Sequence, residues 1–460
     1  MSHRVSRAAA VAAACCVLGA LPVTAQTRAP NVLVIVIDTL RADRLGAYGN
    51  RRGLTPFMDE LARKGTVFVN AYAPSSWTCP AVASLFTSRF ASQHHVIAFD
   101  SKLADEEVTL GEALAARGYA GAGFSANFHI AKSHGYAQGF RHWRVYMGTA
   151  GETKVRGTVL RRDGGAWVNS MVAVSPQTPL FVYLQYMEPH TPYDPTAQYR
   201  RQFTRSHEGV DETAAMSNLT STLRGTKRLP PNEIDLLSSL YDGEVASVDA
   251  ELRTLFADLQ KTGFLDNAVI VITADHGEEF GEHGEMGHGK TLYNTALRVP
   301  LIVLAPKTEA GGVVQEDVSL VDVAPTVLEL AGAPAVPTFE GRSLVPWMTE
   351  GAARPPHGDV LSELEPLSDP DLRAHSRALV SGSRKLLINR NGYAVSYDIG
   401  QDPGELRARF VPSGGGPDAD LVQSLDRLQA ELRRDAVVAQ LKRPLDEATK
   451  EKLRALGYQP

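Results

Sequence analysis

Asp275 and His276 follow the run Ala268-Val-Ile-Val-Ile272, and Asp38 ends the run Asn31-Val-Leu-Val-Ile-Val-Ile37. Uninterrupted β-branched runs of this length read as central parallel strands buried on both faces. In open α/β sheets ligands bind beyond the carboxyl ends of such strands. Two carboxylates and an imidazole delivered there would make one shared site for a divalent cation. The segment after His276 is rich in glycine and carries His283, His288 and Lys290, while His190 stands between Pro189 and Pro192 at the end of a third apolar run, Pro179 to Met187.

A nucleophile is found in Pro74-Ser-Ser-Trp-Thr-Cys-Pro80. Pro80 suits the first turn of a helix, which puts Thr78 at or just before a helix N-terminus, where unpaired backbone amides attract an oxyanion. A threonine hydroxyl is too weakly acidic to attack unaided. A divalent ion held by Asp38, Asp275 and His276, and touching the Thr78 oxygen, would stabilise the alkoxide and polarise a bound ester.

The elements that must position these groups alternate between strand and helix, which predicts an α/β layered fold with a twisted, mostly parallel central sheet flanked by helices. Thr55 and Pro56 read as the N-cap and first residue of a helix closed by Gly65, and Thr109 caps a second helix. The strongest helix carries Ile234, Leu237, Tyr241, Val245, Val248, Leu252, Leu255 and Leu259 at spacings of three and four. From about Pro355 the texture changes to short strands at Arg377–Ser381, Lys385–Asn389 and Ala394–Tyr397, with an Asn391-Gly392 turn, so a small antiparallel sheet is expected. A linker at Ser413-Gly-Gly-Gly416 and a charged helix from about Asp420 to Gln440 follow. The implied division is 1–25 signal peptide, 30–355 catalytic domain, 356–412 small C-terminal subdomain assigned to packing, and 413–460 linker and C-terminal helix.

Arg4 and Arg7 precede an apolar stretch that ends in Val23-Thr24-Ala25, the pattern of a cleaved secretory signal, so the protein is expected to be secreted or periplasmic. Removing it leaves roughly 430 residues, room for two or three domains. It also leaves Cys79 as the last of three cysteines, so no internal disulfide is expected. A net charge of −5 with scattered basic residues argues against a nucleic-acid partner or stable membrane association. The Arg200 to Arg205 run is read as a solvated face of a long polar loop, and Asn218-Leu-Thr220 fits a glycosylation acceptor. A small anionic ester is the expected partner; oligomeric state is left open.

These residues resemble the sulfatase family of the alkaline phosphatase superfamily. The likeness runs from Asn31 to Gly49, through Met187-Glu-Pro-His-Thr-Pro-Tyr193 and the Asp275-His276 segment, to Val323-Ala-Pro-Thr326, Gly341-Arg-Ser-Leu344 and Tyr397-Asp398. It implies metal-ligand positions for Asp38, Asp275 and His276, the nucleophile position for Thr78, and anion or leaving-group roles for His190 and Lys290; His288, in the glycine-rich loop, is a further candidate for a substrate role.

The departures are informative. Family sulfatases carry Cys-x-Pro-x-Arg or Ser-x-Pro-x-Arg, whose first residue becomes formylglycine, whereas this chain reads Thr78-Cys79-Pro80-Ala81-Val82. Threonine cannot make that conversion, and Cys79 is one place too late. Thr39 replaces the second acid of the usual Asp-Asp pair. The pattern is similar to superfamily phosphodiesterases and phosphotransferases that use a metal-bound threonine directly. One metal is favoured, because the stretch from Glu188 to Tyr193 lacks an Asp-x-x-x-His pair. Zinc or manganese suits a histidine with hard oxygens, and calcium is the alternative that the resemblance suggests. The expected activity is hydrolysis of a phosphoester or phosphonoester. Sulfate ester hydrolysis without formylglycine, and a non-catalytic binding protein on the same scaffold, are the alternatives.

Overall fold

The computed structural model describes residues 28–148, 154–306, 308, 312–354, 358–364, 376–412 and 416–432, together with 447, 450 and 451. The signal segment, most of the glycine linker and the chain beyond Leu432 apart from those three residues lie outside the described residues. Eleven strands precede the C-terminal part: β1 Asn31–Ile37, β2 Thr66–Tyr72, β3 Ala120–Ser125, β4 His142–Val145, β5 Leu180–Tyr186, β6 Ala268–Thr273, β7 Glu279–Phe280, β8 Met286–Gly287, β9 Arg298–Val299, β10 Leu301–Leu304 and β11 Val313–Ser319. Nine of them form one sheet in the order β11-β2-β10-β6-β1-β5-β3-β4, with β9 paired to β2. The pairs at its centre are parallel, and β9 and β10 run antiparallel. The expected fold class is the one observed.

Every residue of β1, β5 and β6 is buried, which explains the absence of polar alternation in their sequences. Register does the rest. Val36 pairs with Thr273 across β1 and β6, so Asp38 and Asp275, each two residues further on, leave neighbouring strands at the same level. Ile37 pairs with Tyr186, which brings the Met187–His190 turn alongside on the other flank.

Helices cover the sheet. The 31-residue helix Pro231–Lys261 is the longest among the described residues and buries the predicted apolar stripe from Leu237 to Leu259, with Ile234 half-buried. Its Asp249 accepts from the backbone N–H groups of Phe57 and Met58 at 3.0 and 2.8 Å, so it caps the Pro56–Lys64 helix from a distance. Thr55 occupies the expected N-cap position but makes no side-chain cap; its hydroxyl donates to Asp59 instead. Thr109 does cap its helix, with Glu112 closing the capping box.

The stretch around Arg200 to Arg205 is not the polar loop expected. It folds into helices Ala197–Thr204 and Glu212–Leu223 because Arg200 pairs with Asp194 and Glu212, and Phe203, Ala215 and Leu219 find cover. The Asn218 amide donates to Glu233 at 2.8 Å and its oxygen accepts from Lys227, so this acceptor motif is engaged in packing two helices.

The C-terminal sheet has five strands, β12 Val360–Leu364, β13 Ser376–Ser381, β14 Arg384–Ile388, β15 Ala394–Asp398 and β16 Arg409–Phe410, all antiparallel. Three were legible; β12 and the two-residue β16 were not. The Ala419–Leu432 helix packs Leu421, Leu425 and Leu432 into a second apolar cluster with Leu361, Leu379 and Leu386, and this cluster includes Phe90 and Val321 from the larger unit.

Candidate active site

Four neighbouring strands deliver the site at their carboxyl ends. Asp275 follows β6, Asp38 follows β1, Gln185 and His190 come from β5 and its turn, and Asn127 stands two residues beyond β3. The fifth contribution is Thr78, the first residue of the Thr78–Thr87 helix.

Hydrogen bonds fix how each side chain is presented. His276 Nδ1 lies 2.9 Å from the Gly277 carbonyl oxygen. A carbonyl only accepts, so the ring proton sits on Nδ1 and the Nε2 lone pair faces inward. Asp275 Oδ1 accepts from the backbone N–H groups of Thr39 and His276 at 3.2 and 3.0 Å, and Asp38 Oδ2 accepts from Asn127 Nδ2 at 2.7 Å and Gln185 Nε2 at 3.4 Å. The other carboxylate oxygens, Asp38 Oδ1 and Asp275 Oδ2, are buried without a hydrogen-bond partner, 3.8 and 3.6 Å from His276 Nε2.

Two orphaned carboxylate oxygens and one imidazole lone pair thus lie within 4.8 Å of one another. Burial, and then the adjacent Asp275 charge, push the Asp38 carboxyl well above the usual carboxylate range. Leaving buried anionic oxygens unpaired is costly, and a cation removes that cost. The donor set therefore fits one divalent ion.

Thr78 Oγ1 stands 3.3 Å from His276 Nε2 and 3.5 Å from Asn127 Nδ2. Its hydroxyl faces the cluster and caps no helix amide. The backbone next to it is strained, because Thr39 adopts φ +59, a left-handed conformation rare for a β-branched residue. That turn aims the Thr39 N–H at Asp275.

Behind these groups sit three imidazoles in series. The His288 ring lies 4.5 Å from that of His276 and 4.9 Å from that of His190. His288 Nδ1 and Glu278 Oε1 share a hydrogen bond at 2.9 Å, and His190 Nδ1 donates to the Thr191 carbonyl at 2.6 Å. Burial first, and neighbouring imidazoles second, hold both rings well below the ordinary histidine value, while burial raises the Glu278 carboxyl to about 8.

Of the residues expected here, Asp38, Thr78, Asp275 and His276 converge, and His190 and His288 back them. Lys290 sits at the rim, one-third exposed and paired with Glu285 at 3.2 Å, and its charge acts on His288. His283, a weaker candidate, stacks on Tyr293 with 3.6 Å between centroids. Asn127, Gln185 and Glu278 were missed. Asn127 obeys the same strand-end rule as Asp38, but Ala120–Ser125 is glycine-rich and short, so it carried less weight.

His190 is held by a buried ion pair. Lys154 Nζ donates to the His190 carbonyl at 2.8 Å and pairs with Glu244, whose carboxyl burial raises to about 7. Lys154 holds the Glu244 carboxyl down, so Lys154→Met would raise it further and should cost about 3 kcal/mol in denaturant unfolding at alkaline pH, where Glu244 is ionised and unpaired. A carboxyl raised by burial favours folding in its protonated form, and the variant takes up that proton at higher pH than wild type, so the loss should shrink as pH falls toward about 7 and change little below it. An unchanged unfolding midpoint at both ends of that window contradicts the pairing.

A family model described as Sulfatase matches residues 30–333, and one described as N-sulphoglucosamine sulphohydrolase, C-terminal, matches residues 281–429. Arylsulfatase K of Gallus gallus is 26% identical over 446 residues, covering 87% of this chain and 81% of that protein. The multifunctional alkaline phosphatase superfamily protein PehA of Trinickia caryophylli is 26% identical over 399 residues, covering 70% and 77%. Among solved structures, the phosphonate monoester hydrolase of Agrobacterium radiobacter superposes with a TM-score of 0.72 at 19% identity, covering 90% of this chain and 100% of that one. A 2-O GAG sulfatase gives 0.70 at 20% identity, covering 89% and 93%. Those structural likenesses speak to the fold. The sequence model spans the strand-end acids, the Thr78 turn and the histidine loop together, and on that span the chain belongs to the sulfatase family.

Proposed function

We propose that this chain is a metal-dependent hydrolase of phosphoesters or phosphonoesters in which Thr78 is the nucleophile. The observation that carries the reading is the approach of Thr78 Oγ1 to the inward-facing His276 Nε2, beside the two unpartnered carboxylate oxygens. A divalent ion held by Asp38, Asp275 and His276 would supply charge neutralisation for an alkoxide and a transferring phosphoryl group.

The chain's own residues account for the remaining steps. Thr78 Oγ attacks phosphorus in line, forming a phosphothreonine as the ester oxygen departs, and water then attacks the same phosphorus to restore Thr78. Asn127, within reach of both Asp38 and Thr78, orients the hydroxyl. His190 and His288, neutral at rest, would take up the proton released by Thr78 and return it to the departing oxygen. Sulfate chemistry is disfavoured on this residue: a sulfated threonine has no route to carbon–oxygen cleavage, whereas a formylglycine hydrate does.

The test is a panel of chromogenic aryl phosphate, phosphodiester, phosphonate monoester and sulfate substrates, each with zinc, manganese and calcium. A phosphorus ester is expected to give a kcat/KM at least about tenfold above the sulfate ester. Sulfate turnover exceeding all phosphorus esters would overturn the reading.

Cys79 supplies an independent check. It is buried, its thiol is pushed upward by that burial, and the Tyr136 hydroxyl donates to its carbonyl oxygen at 2.8 Å. Cys79→Ser should keep activity within about threefold, a surface-like effect for a small isosteric change. Intact-mass detection of an aldehyde at Cys79 would restore the sulfatase reading. We also infer export, from the basic residues and apolar stretch before Ala25; among the described residues no helix is long and apolar enough to cross a membrane. N-terminal sequencing of the mature protein should begin near Gln26.

A further inference from the structure

The C-terminal sheet reaches into the catalytic unit through one buried ion pair. Lys385 on β14 and Glu405, in the turn after β15, are 2.6 Å apart and have essentially no exposed side-chain surface. Lys385 Nζ also donates to the Leu292 carbonyl at 2.7 Å and to Asn294 Oδ1 at 2.9 Å, and Glu405 accepts from the Asn294 backbone N–H at 2.5 Å. Glu405 holds φ +53, a left-handed conformation uncommon for a residue other than glycine.

What the pair grips is the segment that frames the site. Next to Asn294, the Thr295 and Ala296 carbonyls accept from the backbone N–H groups of Glu278 and Gly277 at 3.1 and 2.7 Å. Glu278 in turn orients His288, and the Gly277 carbonyl orients His276. The approach is so close that a Cβ on Gly277 would lie 2.1 Å from the Thr295 oxygen. On the other side, Asn294 and Thr295 face Pro403, Gly404 and Leu406 across a cavity of about 270 Å³. The Tyr293 and Tyr397 rings also meet edge to face with 6.2 Å between centroids, and the ion pair adds direction to that contact.

We propose that Lys385 and Glu405 are positioning residues: the C-terminal sheet sets the register of the 291–296 segment against Gly277 and Glu278, and through it the presentation of His276 and His288. The prior expectation that this sheet only packs is thereby extended. A buried ion pair hydrogen-bonded to Leu292 and Asn294 suits this task because its geometry is specific where an apolar contact would be permissive. The catalytic part of this inference rests on the phosphoester reading; the positioning part does not.

The test compares wild type, Lys385→Met, Glu405→Gln and the double variant, in the full chain with metal added. The double variant leaves no uncompensated buried charge, so it keeps the experiment informative if a single variant fails to fold. Hydrogen exchange at the Gly277 and Glu278 amides should accelerate by about tenfold or more in the folded double variant, because the partner carbonyls are no longer held. Turnover of a phosphodiester with a poor leaving group should fall by about tenfold or more, with a smaller loss for an activated leaving group and little change in KM. Unchanged exchange at Gly277 and Glu278 in a folded double variant overturns the proposal whatever the substrate. Accelerated exchange in a protein whose wild type turns over no phosphorus ester supports the positioning role and refutes the phosphoester reading. Accelerated exchange with kcat and leaving-group dependence unchanged overturns the catalytic part.

Discussion

Thr78→Ala should lower turnover by roughly three orders of magnitude or more while the protein folds and holds its cation. The hydroxyl it removes faces His276 Nε2 at 3.3 Å and Asn127 at 3.5 Å and satisfies no amide of its own helix. Loss of a helix cap, the ordinary role for a threonine at a helix start, would cost about 1 kcal/mol of stability and leave chemistry largely intact. Thermal unfolding of Thr78→Ala should therefore match wild type. Thr78→Ser keeps the oxygen and should be partly active. With a slow phosphorus ester, acid quench should trap a phosphoryl adduct on the peptide containing Trp77 to Pro80. Near-normal turnover by folded, metal-loaded Thr78→Ala would mean that water attacks directly and that Thr78 only lines the site.

Asp275→Ala should abolish cation binding and turnover together. The side chain does two separable things: Oδ1 accepts from the Thr39 and His276 backbone amides, and Oδ2 faces the cluster without a partner. Asp275→Asn separates them, since its amide oxygen can still accept from the two amides but the anionic oxygen is gone. Asparagine should restore wild-type folding without restoring activity. In wild type, a cation at one hundred times its Kd should stabilise the fold by about 2.7 kcal/mol, visible as a rise in Tm, and in Asp275→Ala the shift should vanish. Elemental analysis that finds one equivalent of metal in purified Asp275→Ala would remove Asp275 from the site.

Much of this architecture was legible before the structure because its signals are local. An apolar run ending in an acid marks a buried strand and the polar edge beyond it, which is why Asp38 and Asp275 could be paired from opposite ends of the chain. The Thr78 turn was readable for a similar reason, since Pro80 announces a helix start. The stretch around Arg200 to Arg205 reads as loop in the sequence because its helices are held by Arg200, Asp194 and Glu212 and by cover from the long helix, contacts that leave weak apolar periodicity.

The sequence by itself determined which strands are central, which residue types stand at their ends, and that Thr78 stands two residues before Pro80 at a helix start. Those properties depend on composition and on neighbours within a few residues. The tertiary structure alone decided that Asn127 and Gln185 orient one Asp38 oxygen and leave the other unpartnered, and that Glu278 is the partner of His288. It also decided that Lys385 and Glu405 grip the loop beside both. Each of these depends on strand register and on partners far apart in the chain, and hydrogen-bond direction is set only when such groups meet at a fixed distance in a buried space.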